Sequence, residues 1–261
     1  GFDYSWSPDG KWFTLEFIGN RHDPYSDIGM VSAQGGKIIN LTNSGYTSGS
    51  PRWVLDGNAI LFITERYGMR AHASWGSLND VMLVFMNQDA YDKFRLSKED
   101  YELQKELEKE QKNTTEAKKN DKKKGDNKEK SEEKKEEKVK DIVVELNNIE
   151  DRIVRLTPNS SDLGSAIITK DGETLYYLSA FEDGYDLWKM NLRKKDTKLL
   201  HKMDAGWANM EMDKDGKNLF LLGSNSMQKM GTDSESLKPI SYQAHVKMDL
   251  AAERDYMFNY V

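Results

Sequence analysis

Cysteine is absent from the 261 residues, which excludes disulfides, a thiol nucleophile and thiolate-bound metal but leaves the compartment open. No run of about eighteen apolar residues occurs, so no transmembrane helix is expected. The four histidines, His22, His72, His201 and His245, stand singly, without the i, i+4 or short-loop spacing of a metal pair. Neither a metal nor another cofactor is expected. A Gly-x-Ser-x-Gly elbow is also missing. Its nearest approach, Ser48-Gly49-Ser50, reads as a loop before a strand, and no catalytic residue is assigned. Glu211 to Gly216 has the look of a calcium loop, yet Leu222 stands where an EF-hand needs its bidentate Glu. The start, Gly1-Phe2-Asp3-Tyr4, lacks an initiator Met and a leader, and reads as a cut inside a longer protein.

What the chain does contain is a repeated turn. Ser7-Pro8-Asp9-Gly10, Val54-Leu55-Asp56-Gly57, Thr169-Lys170-Asp171-Gly172 and Asp213-Lys214-Asp215-Gly216 each precede an apolar, strand-like run: Trp12 to Phe17, Ala59 to Thr64, Thr174 to Leu178 and Asn218 to Leu222. Asp-Gly between two apolar runs predicts a tight hairpin, because glycine takes the positive φ such turns require. Asp9, Gly10, Asp56, Gly57, Asp171, Gly172, Asp215 and Gly216 are therefore read as structural turn residues. Short strands around these turns give an all-β chain of about four four-stranded antiparallel repeats, the blades of a small or partial β-propeller. The alternative is a β-sandwich with Asp-Gly hairpins. The expected blades are 1–42, 46–157, 161–202 and 206–248, so the propeller segment spans 1–248, and a helix capped by Asp249 over 249–261 leads toward a following domain. In the fourth blade a polar loop is expected from Gly223 to Tyr242, then a strand at Ala244 to Met248 and no outer strand.

The second repeat is interrupted by an insertion, 88–148. Ser97 to Gln111 predicts a helix, with Ser97 as cap and Leu103 and Leu107 spaced i, i+4. From Lys112 to Lys140 twelve lysines face eight acidic residues, with no aromatic, and disorder is expected there. That basic excess hides how acidic the rest is: of the total of −6, the remainder of the chain carries −10. An acidic body argues against a nucleic-acid partner.

Trp6-Ser7-Pro8-Asp9-Gly10-Lys11, followed by Asp27-Ile28 and Leu41-Thr42, resembles the WD40-like propeller repeats of TolB and of tricorn-type peptidases. Tyr91 to Asp100, the Lys/Glu linker, Ile149-Glu150-Asp151-Arg152 and Met248 to Arg254 are similar to a bacterial tricorn protease homologue, in the stretch before its helical, PDZ and serine-peptidase domains. The resemblance implies a non-catalytic propeller segment that screens or channels peptides toward a C-terminal serine endopeptidase domain. The segment itself would be inactive, because none of the family's catalytic residues has a match here. It implies peptides or unfolded polypeptide as partners, together with the remaining domains of the parent peptidase and a homo-oligomer of the full protein, with no membrane insertion. It also implies a periplasmic location, the alternative being cytoplasmic. The rival function is a TolB-like envelope propeller that binds protein or glycan without protease activity.

In a meander the first-to-second and third-to-fourth connections share one face, and second-to-third connections share the other with the blade-to-blade links. The Asp-Gly turns and the insertion thus fall on one face, and longer loops on the opposite one. There Arg21, His22, Arg66, Arg70 and Trp75 are the expected substrate contacts; the alternative is that they pack against neighbouring loops or another domain.

Overall fold

The computed structural model describes residues 3–19, 25–70, 76–121, 140–223, 226–243 and 247–260, with side chains in the second helix described as far as 110. Four four-stranded antiparallel sheets follow one another along the chain, each with its strands in sequence order. The first contains β1 (Tyr4–Trp6), β2 (Trp12–Phe17), β3 (Asp27–Ser32) and β4 (Ile39–Asn40). The second contains β5 (Ser48–Val54), β6 (Ala59–Thr64), β7 (Asp80–Phe85) and β8 (Ile153–Arg155). The third contains β9 (Asp162–Ile168), β10 (Thr174–Ala180), β11 (Tyr185–Asn191) and β12 (Asp196–Ala205). The fourth contains β13 (Ala208–Met212), β14 (Asn218–Gly223), β15 (Ser226–Gly231) and β16 (Leu237–Pro239). These are the blades of a four-bladed β-propeller.

Strand pleating explains why the second strands are apolar almost without a break. Alternate residues point to opposite faces, and an internal blade has a neighbour on each. Ile60 and Phe62 of β6 pack with Ile28, Met30 and Leu41 of the first blade. Ala59 and Leu61 of the same strand pack with Ala166, Ile168, Leu175 and Tyr177 of the third. Tyr176 and Leu178 then meet Met210, Leu219, Leu221 and Met230 of the fourth. The core is therefore three successive interblade joints, and each large apolar side chain buried in one contributes about 1.5–3 kcal/mol over leaving it in water.

A second device fastens the outer strands. Asp27, at the start of β3 and 2% exposed, accepts hydrogen bonds from Thr42 Oγ1 at 2.8 Å and Asn40 Nδ2 at 2.9 Å. Thr42 Oγ1 in turn accepts from Ile28 N. Asp80 of β7, fully buried, accepts from Thr157 Oγ1 and Ser160 Oγ, each at 2.7 Å, and from Arg155 Nε at 3.0 Å. The recurrent Leu-Thr is thus a latch: Leu41 and Leu156 are buried beside a threonine that closes onto the third strand's aspartate.

Four expectations are corrected. The third strand of the fourth blade is Ser226–Gly231, inside the stretch read as a polar loop. Only Met230 of it is buried, against blade three, so little of the strand reads as apolar. The fourth blade also has an outer strand, Leu237–Pro239, and within the expected strand Ala244 to Met248 the described residues, 247 and 248, are not in a strand. The insertion opens with a helix in addition to the expected one, α1 (Gln88–Arg95), capped by Asn87, whose side chain accepts from Ala90 N. The expected helix from Ser97 is α2 (Lys98–Asp121). It runs into the stretch expected to be disordered, because Glu, Lys, Ala and Gln are good helix formers even where they bury nothing. The rest of that stretch, 122–139, lies outside the described residues. The C-terminal helix is α3 (Leu250–Tyr260), and Asp249 Oδ1 caps it by accepting from Ala251 N and Ala252 N.

Candidate functional site

The first strands of the blades converge on a central cavity of about 370 Å³, to which Asp3, Ser50, Arg52, Ser165 and Asn209 bring polar side chains. All four blades contribute to this wall. A bulge between Gly49 and Arg52 breaks the register of β5, and Ser50 sits at φ +53°. Its hydroxyl donates to Asp3 Oδ2 at 3.3 Å. Arg52 reaches across to Glu211 Oε1 at 3.2 Å, with both side chains substantially exposed. Hydroxyls, an amide and one exposed ion pair make a lining that can exchange hydrogen bonds with an extended peptide backbone. Sequence reasoning missed this wall because its residues come from four separate repeats and share no motif.

Of the five expected loop contacts, Arg21, His22 and Trp75 lie outside the described residues. Arg66 and Arg70 share one loop but have different surroundings. Arg70 Nη2 lies 3.3 Å from Glu65 Oε1, a carboxylate only 2% exposed, and its guanidinium sits over the rings of Tyr25 and Tyr46 at 5.4 and 5.2 Å. Glu65 also accepts from Thr47 N. Arg66 lies over Tyr67 at 5.5 Å and lines a small cleft with Thr42, Ser44 and Ser48. Tyr67 receives Arg155 as well, at 5.1 Å. The loop face therefore gathers arginines interleaved with tyrosines, an arrangement suited to carboxylate and aromatic groups.

The opposite face is made by the Asp-Gly turns. In the first blade Ser7 Oγ donates to Asp9 Oδ1 at 2.6 Å and accepts from Trp12 N, while Asp9 Oδ1 accepts from Lys11 N. The third blade repeats this with Thr169, Asp171, Glu173 and Thr174. These loops hold four residues between paired ends, braced by the aspartate, rather than the two of a tight hairpin. In the fourth, Asp213 takes the bracing role, accepting from Lys217 N and Asn218 Nδ2. The second has Val54 where the others have a hydroxyl or carboxylate, and it becomes a short 3-10 turn with Leu55, Asp56 and Gly57 all at positive φ.

The insertion is laid over these turns. Ile142 N donates to Asp9 Oδ2 at 3.0 Å, Lys11 pairs with Asp141 at 2.6 Å, and Glu145 N donates to Met86 O. Burial alone would raise the Asp9 carboxyl, but hydrogen bonds from Ser7, Ile142 N and Lys11 N outweigh it and hold the group below its ordinary value. From α2, Tyr101 Oη reaches Asp171 O and Lys105 pairs with Glu173. Arg193 of the third blade stacks on Tyr101 at 3.9 Å and donates to Phe94 O. The insertion thereby bridges blades one, two and three.

No family model matches the chain. The fold aligns with the crystal structure of the tricorn protease at TM-score 0.58 and 10% identity, over 92% of this chain and 22% of that one. It aligns with a putative TolB from Agrobacterium tumefaciens at TM-score 0.54 and 12% identity, over 91% of this chain and 63% of that one. The fold is that of the tricorn and TolB propellers. This propeller is also similar to a structure of prolyl endopeptidases, at TM-score 0.51 and 11% identity over 94% of this chain and 29% of that one. In sequence, 59 residues are 39% identical to the uncharacterized peptidase YuxL of Bacillus subtilis, covering 23% of this chain and 9% of that protein. The propeller spans less than two thirds of the length of each of these proteins.

Proposed function

We propose that this chain is the non-catalytic propeller of a tricorn-like serine peptidase, screening peptide substrates and passing them toward a catalytic domain elsewhere in the protein. The observation that carries this reading is the central polar cavity to which all four blades contribute. A passage walled by strand edges and short polar side chains admits an extended chain and excludes a folded one. The likeness to peptidase propellers supports it. Unfolded polypeptide is the partner, the loop-face residues Arg21, His22, Arg66, Arg70 and Trp75 make the outer contacts, and the protein works in the periplasm.

The test is binding of fluorescently labelled extended peptides, followed by anisotropy, with a peptidase assay alongside. Binding without turnover is expected, and replacing both Arg52 and Asn209 by alanine should weaken it about tenfold, the loss of one or two hydrogen bonds. Turnover that survives purification, or affinity unchanged in the double variant, would overturn the reading. A second reading, a TolB-like propeller that binds protein or glycan with no peptidase attached, is favoured by the larger share of TolB that the chain spans. The reading frame of the intact gene separates the two, since a PDZ and peptidase region excludes the second.

A further inference from the structure

The inner strands of blades two, three and four change character in the same direction. β5, β9 and β13 are each the first strand of their sheet, with a sheet neighbour on one side only. The other edge of each keeps its N–H and C=O groups for whatever enters the passage. Earlier along, these strands bring Ser50, Ser165 and Asn209 to the polar central cavity. They end on Val54, Ile168 and Met212, and those three residues line a second, smaller cavity of about 120 Å³.

The two cavities adjoin. Arg52, Leu61 and Ala166 belong to the lining of both, whereas Glu211 lines only the smaller. The Arg52–Glu211 pair, at 3.2 Å, therefore stands at the boundary. An ion pair this exposed is weak and yields to a ligand at small cost. Among the described residues these two are the charges of the smaller cavity, and they are paired with each other. The rest of its wall is mainly aliphatic: Val54 and Met212 are partly buried against the interblade cores, and Ile168 is buried. An apolar cavity of about 150 Å³ is large enough for benzene. At about 120 Å³ this one suits an aliphatic side chain of about four carbons and falls short of a benzyl group.

We propose that the smaller cavity is a side-chain subsite of the passage, taking a leucine-, isoleucine- or methionine-sized side chain of an extended peptide. This rests on the reading of the chain as a peptide-screening propeller and names the class of peptide screened. The free strand edges and the polar cavity receive the backbone, which all peptides share. The aliphatic cavity beneath the Arg52–Glu211 pair receives one side chain, and it rejects a charge, which would be desolvated there without a partner of its own. Extended chains are then sorted by an aliphatic residue instead of being admitted alike.

Fluorescence anisotropy with labelled Gly/Ser peptides that differ at one position, Ala, Leu, Phe or Lys, tests this. The Leu peptide is expected to bind the wild-type chain about ten- to fiftyfold more tightly than the Ala peptide, the yield of three buried carbons, with Phe and Lys no better than Ala. Met212→Ala enlarges the cavity and should raise affinity for the Phe peptide above that for Leu, whereas Met212→Leu, which keeps the volume, should preserve the wild-type order. Val54→Ala makes the same enlargement from another blade, and circular dichroism with melting temperature checks that each variant is folded. The ε-methyl carbon signal of Met212 should shift on adding the Leu peptide and stay in place with the Ala peptide. Peptides that bind with one affinity whatever the varied residue overturn the subsite and leave the screening reading standing; peptides that do not bind at all overturn both. A wild-type preference for Phe or Lys, or an order unchanged in folded Met212→Ala and Val54→Ala, also overturns the subsite.

Discussion

Gly10 and Gly57 occupy matching turns at positive φ but have different neighbours. A side chain added at Gly10, φ +68°, would meet nothing within 4 Å, whereas one at Gly57, φ +88°, would run into Ile142 of the insertion. Gly10→Ala should cost only the backbone strain of about 1–2 kcal/mol, and Gly57→Ala more, with the return segment displaced; chemical denaturation of the two variants, giving equal losses, would count against the docking described. Tyr177 offers a different residue-scale test. It is 1% exposed, and burial pushes its phenol from 10.0 up to about 12. A raised folded value means that its contribution is complete below pH 10 and is lost as pH rises toward 12. Stability should therefore fall above pH 10, and Tyr177→Phe should flatten that fall; an unaltered alkaline slope in urea titrations at several pH values would contradict it. The latch aspartates, by contrast, have a sequence signal, Asp27-Ile28 and Asp80-Val81 each with a later Leu-Thr, and the contacts of Asp27 with Thr42 and of Asp80 with Thr157 show what the pairing does.

At the scale of elements, the insertion is the part whose role changes most. Read as a charged excursion, it has roots that hold three blades: Ile142 and Lys11 on the first, Glu145 on the second, Tyr101 and Arg193 on the third. Arg193→Ala should release α1 and α2 from the propeller while the strands persist, seen as faster amide exchange in 88–110 with unchanged protection in β10 and β11. Equal exchange in both proteins would show that Arg193 holds nothing. The Asp9 contact adds a pH dependence. Its folded value is lowered, so the stabilisation is present above the ordinary carboxylate range and is lost as pH falls through the lowered value. Acid should loosen the return segment at Asp9 in the wild type but not in Asp9→Asn, as limited proteolysis across a pH series would register.

Over the whole molecule, stability is a sum of blades and the joints between them, and among the described residues the buried core of the first blade packs against the second. Phe62→Ala in that joint should cost about 3–5 kcal/mol and expose the first blade to exchange before the third or fourth; uniform loss across all four would argue for a single cooperative unit instead. How much of this was legible in the sequence follows from the range of each interaction. The Asp-Gly turns, the strand alternation and the helix caps act over a few residues, so four blades and a helical insertion could be read directly, whereas a strand such as Ser226–Gly231, with one buried side chain, could not. The sequence by itself determined the repeat and the class of fold, because both are written in local periodicity. Only the tertiary structure decided which residues meet in the central cavity and where the insertion is anchored, because those depend on contacts between repeats far apart in the chain.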